Sequence, residues 1–207
     1  PAKNPRLLLG EEPFSALDAG LRVELREELR EILRSTRTTA LLVTHDQEEA
    51  LSLADQVIVM RDGVIVQSAS PDELYAAPSE LWTATFLGEA GLLPGQMLDT
   101  GCHVDTPLGR LDARICGNVG ACELCTVMLR PEQIIADTKG VPACVCAATF
   151  FGHDALLQLE VESDGQKFPV AARVLRPELA RRGEMLSIGV SGTASVYPQA
   201  TPTPGSR

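Results

Sequence analysis

Apolar positions fall into two textures along the chain. Over residues 1 to 90, short apolar runs alternate with helix-period stretches. The run Leu7 to Leu9 comes first, followed by "DAGLRVELREELREILRS", where Leu21, Leu25, Leu29, Ile32 and Leu33 share one face. Glu and Arg cover the other face as a solvated, weakly salt-bridged surface, and Asp18 stands where an N-cap belongs. The continuous run "TTALLVT" (38 to 44) reads as a strand buried on both faces of a parallel sheet, with His45 at its end. "DQEEALSLA" predicts a short helix with Asp46 near its cap, and "QVIVM" and "VIVQSA" flank an Asp62-Gly63 hairpin signal. "PDELYAA" and "PSELWTATFLG" predict two further helices opening with Pro, and this α/β part ends near Gly88.

From Gly91 the pattern changes to short β-type runs spaced by Gly, Pro and Asp: "CELCTVML", "VPACVCAATFF", "ALLQLEVE", "KFPVAARVL", "EMLSIGV" and "ASVY". Regular short strands of this kind predict a small antiparallel barrel or sandwich over 91–197. Residues 198–207, "PQATPTPGSR", carry no apolar anchor and read as a disordered tail.

Composition narrows the partners. A formal net charge of -10 and no concentration of Lys and Arg argue against a nucleic-acid surface. No apolar run approaches the length of a bilayer span, and "PAKNPRLLLGEE" lacks the regions of a signal peptide, so a cytoplasmic setting is expected. In that setting Cys102, Cys116, Cys122, Cys125, Cys144 and Cys146 are expected as thiols. Strand alternation puts Cys144 and Cys146 on one face and Cys122 and Cys125 on opposite faces unless a turn intervenes, so buried apolar roles are favoured over a metal site. His103 and His153 lie in no motif and read as surface residues. Trp82 and Phe86, four apart, read as packing residues on one helix face.

Candidate chemistry gathers at two strand ends. Ligands of open α/β sheets bind beyond the carboxyl ends of strands, where Glu11, Glu12 and His45 stand. Adjacent carboxylates on an extended chain point apart, so one can hold a hydrated cation while the other polarises a water.

These residues carry a resemblance. "LLLGEEPFSALD" followed by "LLVTHDQEEAL" resembles the Walker B, D-loop and switch-histidine regions of ABC transporter ATPases. "DGVIVQSASPDELYAAP", "FLGEAGLLPG" and "VMLRPEQI" resemble the C-terminal part of the importer subclass, with its β-rich TOBE extension. The resemblance implies an α/β remnant of a P-loop ATPase domain over 1–90, followed by a barrel-like, TOBE/OB-like regulatory domain over 91–197. It puts Glu12 at the catalytic glutamate, His45 at the switch histidine and Glu11 at the magnesium-associated acid acting through water. No metal beyond that magnesium is implied. Ser15, Ala16, Leu17 and Asp18 match the D-loop, which in the family touches the opposite subunit.

In the complete subunit the implied cofactors are ATP and magnesium. The implied partners are a homodimeric copy and integral-membrane permease subunits, at the inner face of the cell membrane. The implied activity is ATP hydrolysis energising small-solute uptake; ferric iron, polyamine, sulfate, phosphonate and sugar importers share this layout, and "FLGEAGLLPG" loosely resembles the iron and polyamine branches. The 207 residues contain no G-x-x-x-x-G-K-[ST] and no LSGGQ-type signature, so the stretch reads as the C-terminal portion of such a subunit, inert alone and binding no cofactor. The alternative is a non-catalytic regulatory or dimerisation module. Gly10 and Glu11 replace the family's bulky apolar residue and Asp, which weakens the strand and moves the metal-facing carboxylate by roughly a bond length. The family layout is taken to place the P-loop strand between the strands at 7–10 and 39–44, whose apolar edges would then lie open.

Overall fold

A computed structural model describes residues 6–98, 102–175 and 181–199. The chain divides into two compact units, Pro1–Tyr75 and Ala76–Arg207.

The first unit opens with β1 (Leu7–Glu11), crosses through α1 (Ala19–Thr36) and returns as β2 (Thr39–Val43), which pairs parallel to β1 from Leu7↔Thr39 to Glu11↔Val43. Asp18 caps α1 by accepting the Leu21 N–H at 2.9 Å, as its position predicts. The helix ends where Arg37 takes a left-handed φ of 52° and the Thr38 N–H returns to Leu33 O. Next come α2 (Gln47–Leu53), β3 (Val57–Arg61), β4 (Val64–Ala69) and α3 (Pro71–Ala76). Asp62 and Gly63 turn the β3–β4 hairpin with φ of 51° and 78°, the positive pair that a two-residue turn of matching twist requires.

Two expectations fail here. β1 and β2 pair with each other directly, so no P-loop strand stands between them: a single crossover helix brings consecutive parallel strands side by side. Nor is the 38 to 44 strand buried on both faces, since Leu41 and Val43 are 52% and 58% exposed and Leu7 and Leu9 on β1 are 50% and 67% exposed. A two-stranded sheet with one helix has only one side covered. Arg30 pairs with Glu27 at 3.3 Å on the solvated face as expected, but two basic residues of α1 depart from that reading: Arg22 reaches Asp46, and Arg26 reaches Ser52 and Glu48, pinning α1 to the α2 segment.

The second unit holds the main core. After α4 (Leu81–Phe86), strands β5 (Gly91–Met97), β6 (His103–Thr106), β7 (Gly109–Ile115), β8 (Leu124–Leu129) and β13 (Ala194–Pro198) close a barrel in the order β13-β7-β6-β5-β8. β9 (Ile134–Phe150), β10 (Ala155–Ser163), β11 (Gln166–Val174) and β12 (Met185–Val190) form a sheet in the order β11-β10-β9-β12. Alternate residues of both sheets, among them Val104, Val127, Val145, Leu157, Val161 and Val196, meet in one buried cluster. The barrel expectation holds, with one parallel pair, β13 on β7. Pro198 is the last residue of β13, paired with Cys125, which contradicts the tail predicted from 198 at that residue; residues 200–207 lie outside the described residues.

Three strands, β5 to β7, were not foreseen. β5 contains Pro94 and Gly95, both poor strand residues. Gly95 is required by close approach: a Cβ there would lie 2.5 Å from Val127 Cγ2 and 2.8 Å from Val104 Cγ2. α4 begins at Leu81 with Glu80 as its N-cap, so Pro78 precedes the helix instead of opening it. Trp82 and Phe86 stack face to face at 5.0 Å, but Phe86 is exposed, and the helix's buried contacts come from Thr83, Ala84 and Leu87.

Residues 76–89 are tied to the barrel through the backbone. The buried Arg130 guanidinium donates from Nη1 to the carbonyls of Ala84 at 2.8 Å, and of Gly88 and Glu89 at 3.1 Å. Tyr197 donates its hydroxyl to Pro78 O at 2.8 Å, and Ser195 donates to Ala76 O. Burial raises the Tyr197 phenol well above its ordinary range, so it remains a donor. Arg130→Met should therefore lower the urea-unfolding free energy by roughly 2–4 kcal/mol, the cost of orphaning buried acceptors of a charged donor. Limited proteolysis should cut Pro1–Tyr75, where among the described residues only Phe14, Val57, Val59 and Leu74 are buried apolar residues, before the β-rich unit. Equal resistance of both units would contradict the thin packing of the first.

Candidate active site

The parallel register of β1 and β2 ends both strands together, with Glu11 opposite Val43. The chain then leaves β1 through Glu12, whose φ of 47° is left-handed and costs on the order of 1 kcal/mol for a residue with a Cβ. Three hydrogen bonds hold that conformation: Glu12 N–H to Val43 O at 2.8 Å, and Ser15 N–H and Oγ to Glu12 O at 3.4 and 3.1 Å.

With its backbone turned, Glu12 directs its carboxylate across the strand ends. Oε1 accepts from the His45 N–H at 2.9 Å and lies 2.7 Å from His45 Nδ1. Placing the ring proton on Nδ1 satisfies that contact and leaves Nε2 as the outward nitrogen of a mostly exposed imidazole. The hydrogen bond from His45 holds the Glu12 carboxyl below its ordinary value. A carboxylate kept ionised beside an imidazole supplies a proton acceptor and a hydrogen-bond donor within one hydrogen-bond length.

The other sequence candidates separate by position. Ser15 belongs to the Glu12 turn through its two bonds to Glu12 O. Asp18 is engaged in capping α1. Glu11 ends β1 on the exposed face shared with Leu7 and Leu9, whereas Glu12, turned out of the strand by its left-handed φ, faces His45. Gly10 sits where a Cβ would lie 2.8 Å from Leu42 Cδ2 of its register partner, so the glycine leaves room for the neighbouring leucine.

A supporting frame behind His45 was not anticipated. Thr44 Oγ1 donates to Glu49 Oε2 at 2.8 Å and accepts the Asp46 N–H at 3.0 Å. Asp46 accepts the Glu49 N–H through Oδ1 and binds Arg22 through Oδ2 at 3.1 Å. Arg22 also donates to Leu17 O, linking the turn after β1 to the turn after β2. The spacing Asp46-x-x-Glu49 is the legible trace of this frame, a capping-box pattern. The buried Glu49 carboxylate turns back to Thr44, a step with no sequence signal.

Among the described residues, no group of three or more His, Cys, Asp or Glu side chains is arranged to hold a metal ion. Cys122 lies in a turn with φ of 61°, and among the described residues the six cysteines form no disulfide.

No family model matches the chain. The chain is 41% identical over 209 aligned residues to the Fe(3+) ions import ATP-binding protein FbpC of Pseudomonas fluorescens (strain Pf0-1), covering 97% of this chain and 57% of that protein. It is 45% identical to FbpC of Mesorhizobium japonicum, covering 95% and 58%, and 38% identical to FbpC 1 of Rhodococcus jostii, covering 95% and 57%. The resemblance to ABC importer ATP-binding subunits thus extends over nearly all of this chain, which spans a little over half the length of these relatives. Among solved structures, the cytoplasmic molybdate-binding protein ModG matches with a TM-score of 0.41 and 10% identity, over 52% of this chain and 94% of that one.

The Glu12 shift carries a sign. Because the folded-state value is depressed, the Glu12–His45 pair adds stability above the unfolded-state value and loses it as pH falls through the folded-state value. Carbon-13 NMR of the side-chain carboxyls should place the Glu12 midpoint below that of an ordinary glutamate, and His45→Ala should move it upward. An unmoved midpoint in that variant would remove His45 as the cause.

Proposed function

We propose that this chain, similar to ATP-binding subunits of ferric iron importers, serves as the part of such a subunit that presents the water-activating carboxylate and the phosphate-sensing histidine. The observation that carries the reading is the Glu12–His45 contact at the carboxyl ends of adjacent parallel strands, where open α/β sheets bind ligands. In this reading Glu12 orients and polarises the attacking water, and His45 reports the terminal phosphate. Glu11 holds magnesium through water, and Ser15 and Asp18 lie in the loop that meets a second subunit. Catalysis is then mostly positioning and electrostatics.

Residues 1–90 act as the later part of the ATPase domain and 91–197 as the regulatory domain. ATP and magnesium are the cofactors of the complete subunit, and their phosphate cradle is supplied by residues outside the 207, which contain no P-loop. Two features support this: the relatives are nearly twice as long, and β1 and β2 leave an apolar face, Leu7, Leu9, Leu41 and Val43, without cover. The complete protein works as a homodimer on a membrane permease at the inner membrane face, with ferric iron as the solute. Among the described residues no helix is long and apolar enough to cross a membrane, consistent with a separate permease.

A second reading, a regulatory or dimerisation module without catalysis, is favoured by where the core lies. The β-rich unit holds the large buried cluster and needs nothing from the first unit to explain it.

Nucleotide titration separates the two. This chain alone should show no micromolar ATP affinity. In a complete subunit, a reading frame with a P-loop upstream of Pro1, Glu12→Gln should cut ATP turnover by about 100-fold or more while ATP binding persists. A reading frame without a P-loop, or unchanged turnover in Glu12→Gln, would favour the second reading.

A further inference from the structure

The outer face of the β11-β10-β9-β12 sheet brings three sulfur-bearing residues to neighbouring positions. Ala143 and Val145 of β9 point into the core, 0% and 1% exposed, which turns Cys144 to the opposite face. Directly across on β12, Met185 pairs with Cys144 in register and is 60% exposed, while its neighbour Leu186 pairs with Ala143. Residues opposite one another in an antiparallel pair have Cβ atoms about 5 Å apart, within reach of two side chains sharing one ion.

The third sulfur is brought in by a β-bulge. The pairing of β9 with β10 steps from Gln158↔Ala147 to Leu159↔Val145, skipping Cys146. A bulge re-aims the extra side chain and leaves its backbone out of the ladder. Cys146 is exposed, and its Sγ leans back to 3.8 Å from Cys144 O. Lys167 on this face has its ammonium held by Glu160 at 2.7 Å. The remaining cysteines lie on other elements: Cys102 precedes β6, Cys122 is in the turn before β8, Cys116 follows β7 and Cys125 is buried in β8.

We infer that Cys144, Cys146 and Met185 form a surface site for one soft monovalent metal ion of the copper(I) class. Two thiols and a thioether are the donor set that selects such an ion over harder cations. Three sulfurs on an open face suit its low coordination number, whereas structural zinc takes four protein ligands. On binding, each thiol releases its proton to solvent as its sulfur takes the metal, with no change of oxidation state. The site lies wholly within the β-rich unit and does not rest on the ATPase reading.

The test is an anaerobic titration of the full chain with copper(I), in competition with a chromophoric copper(I) chelator. One equivalent should bind, with X-ray absorption showing three sulfur scatterers. Met185→Leu, nearly isosteric and exposed, should weaken binding by about 10-fold or more, at least the loss seen for lesser perturbations of metal sites. Cys144→Ser with Cys146→Ser should abolish it, and Cys102→Ser with Cys122→Ser should leave it unchanged. Thermal melts matching the parent chain would show that the variants fold. Wild-type affinity in Met185→Leu, or retention of the ion by the Cys144 and Cys146 double variant, would overturn the assignment.

Discussion

The candidate site depends on the register of one pair of strands. β1 and β2 run parallel and stop level, so the residues just beyond them, Glu12 and His45, meet across a single strand spacing. A slip of one residue would displace His45 by about 3.3 Å and turn alternate side chains of β2 to the other face, breaking the contact. The left-handed turn at Glu12 adds a second condition, because in an ordinary extended conformation its carboxylate would alternate away from its neighbours instead of reaching across. The Val43 carbonyl meets both: it ends the ladder and accepts the Glu12 N–H that fixes the turn.

The physical support for this arrangement is uneven. Around the strand ends it is polar and local: Thr44, Asp46, Glu49 and Arg22 form a connected set linking the two turns. Beneath the strands it is thin, since half of the β1–β2 surface faces solvent. The large apolar cluster belongs to the β-rich unit, where two sheets bury alternate residues against each other. The chemistry of the first unit therefore sits on the part of the chain with the least buried apolar surface.

Much of this was legible in the amino-acid pattern because it is local. The Asp18 cap, the Asp62-Gly63 hairpin and the strands from "CELCTVML" onward follow from side-chain period and turn chemistry. The pairing of Glu12 with His45 was legible as two polar residues at successive strand ends, though its bond geometry was not. What escaped depends on neighbours far along the chain. β5 hides behind Pro94 and Gly95, which become reasonable only when Val104 and Val127 crowd against it. The both-face burial of residues 38 to 44 was misread because an apolar run records what a strand tolerates, and only the number of strands present decides what covers it. Arg22 and Arg26 looked like surface charges until α2 came alongside.

The grip of Arg130 on the carbonyls of Ala84, Gly88 and Glu89 bears on how this chain can be divided or recombined. Composition shifts near Gly88, but the hydrogen bonds from Arg130, Ser195 and Tyr197 reach back to Ala76 and Pro78. A graft of the β-rich unit onto a relative should therefore be joined between Tyr75 and Ala76. A join at 90 would leave a buried guanidinium facing whatever backbone the donor happened to supply.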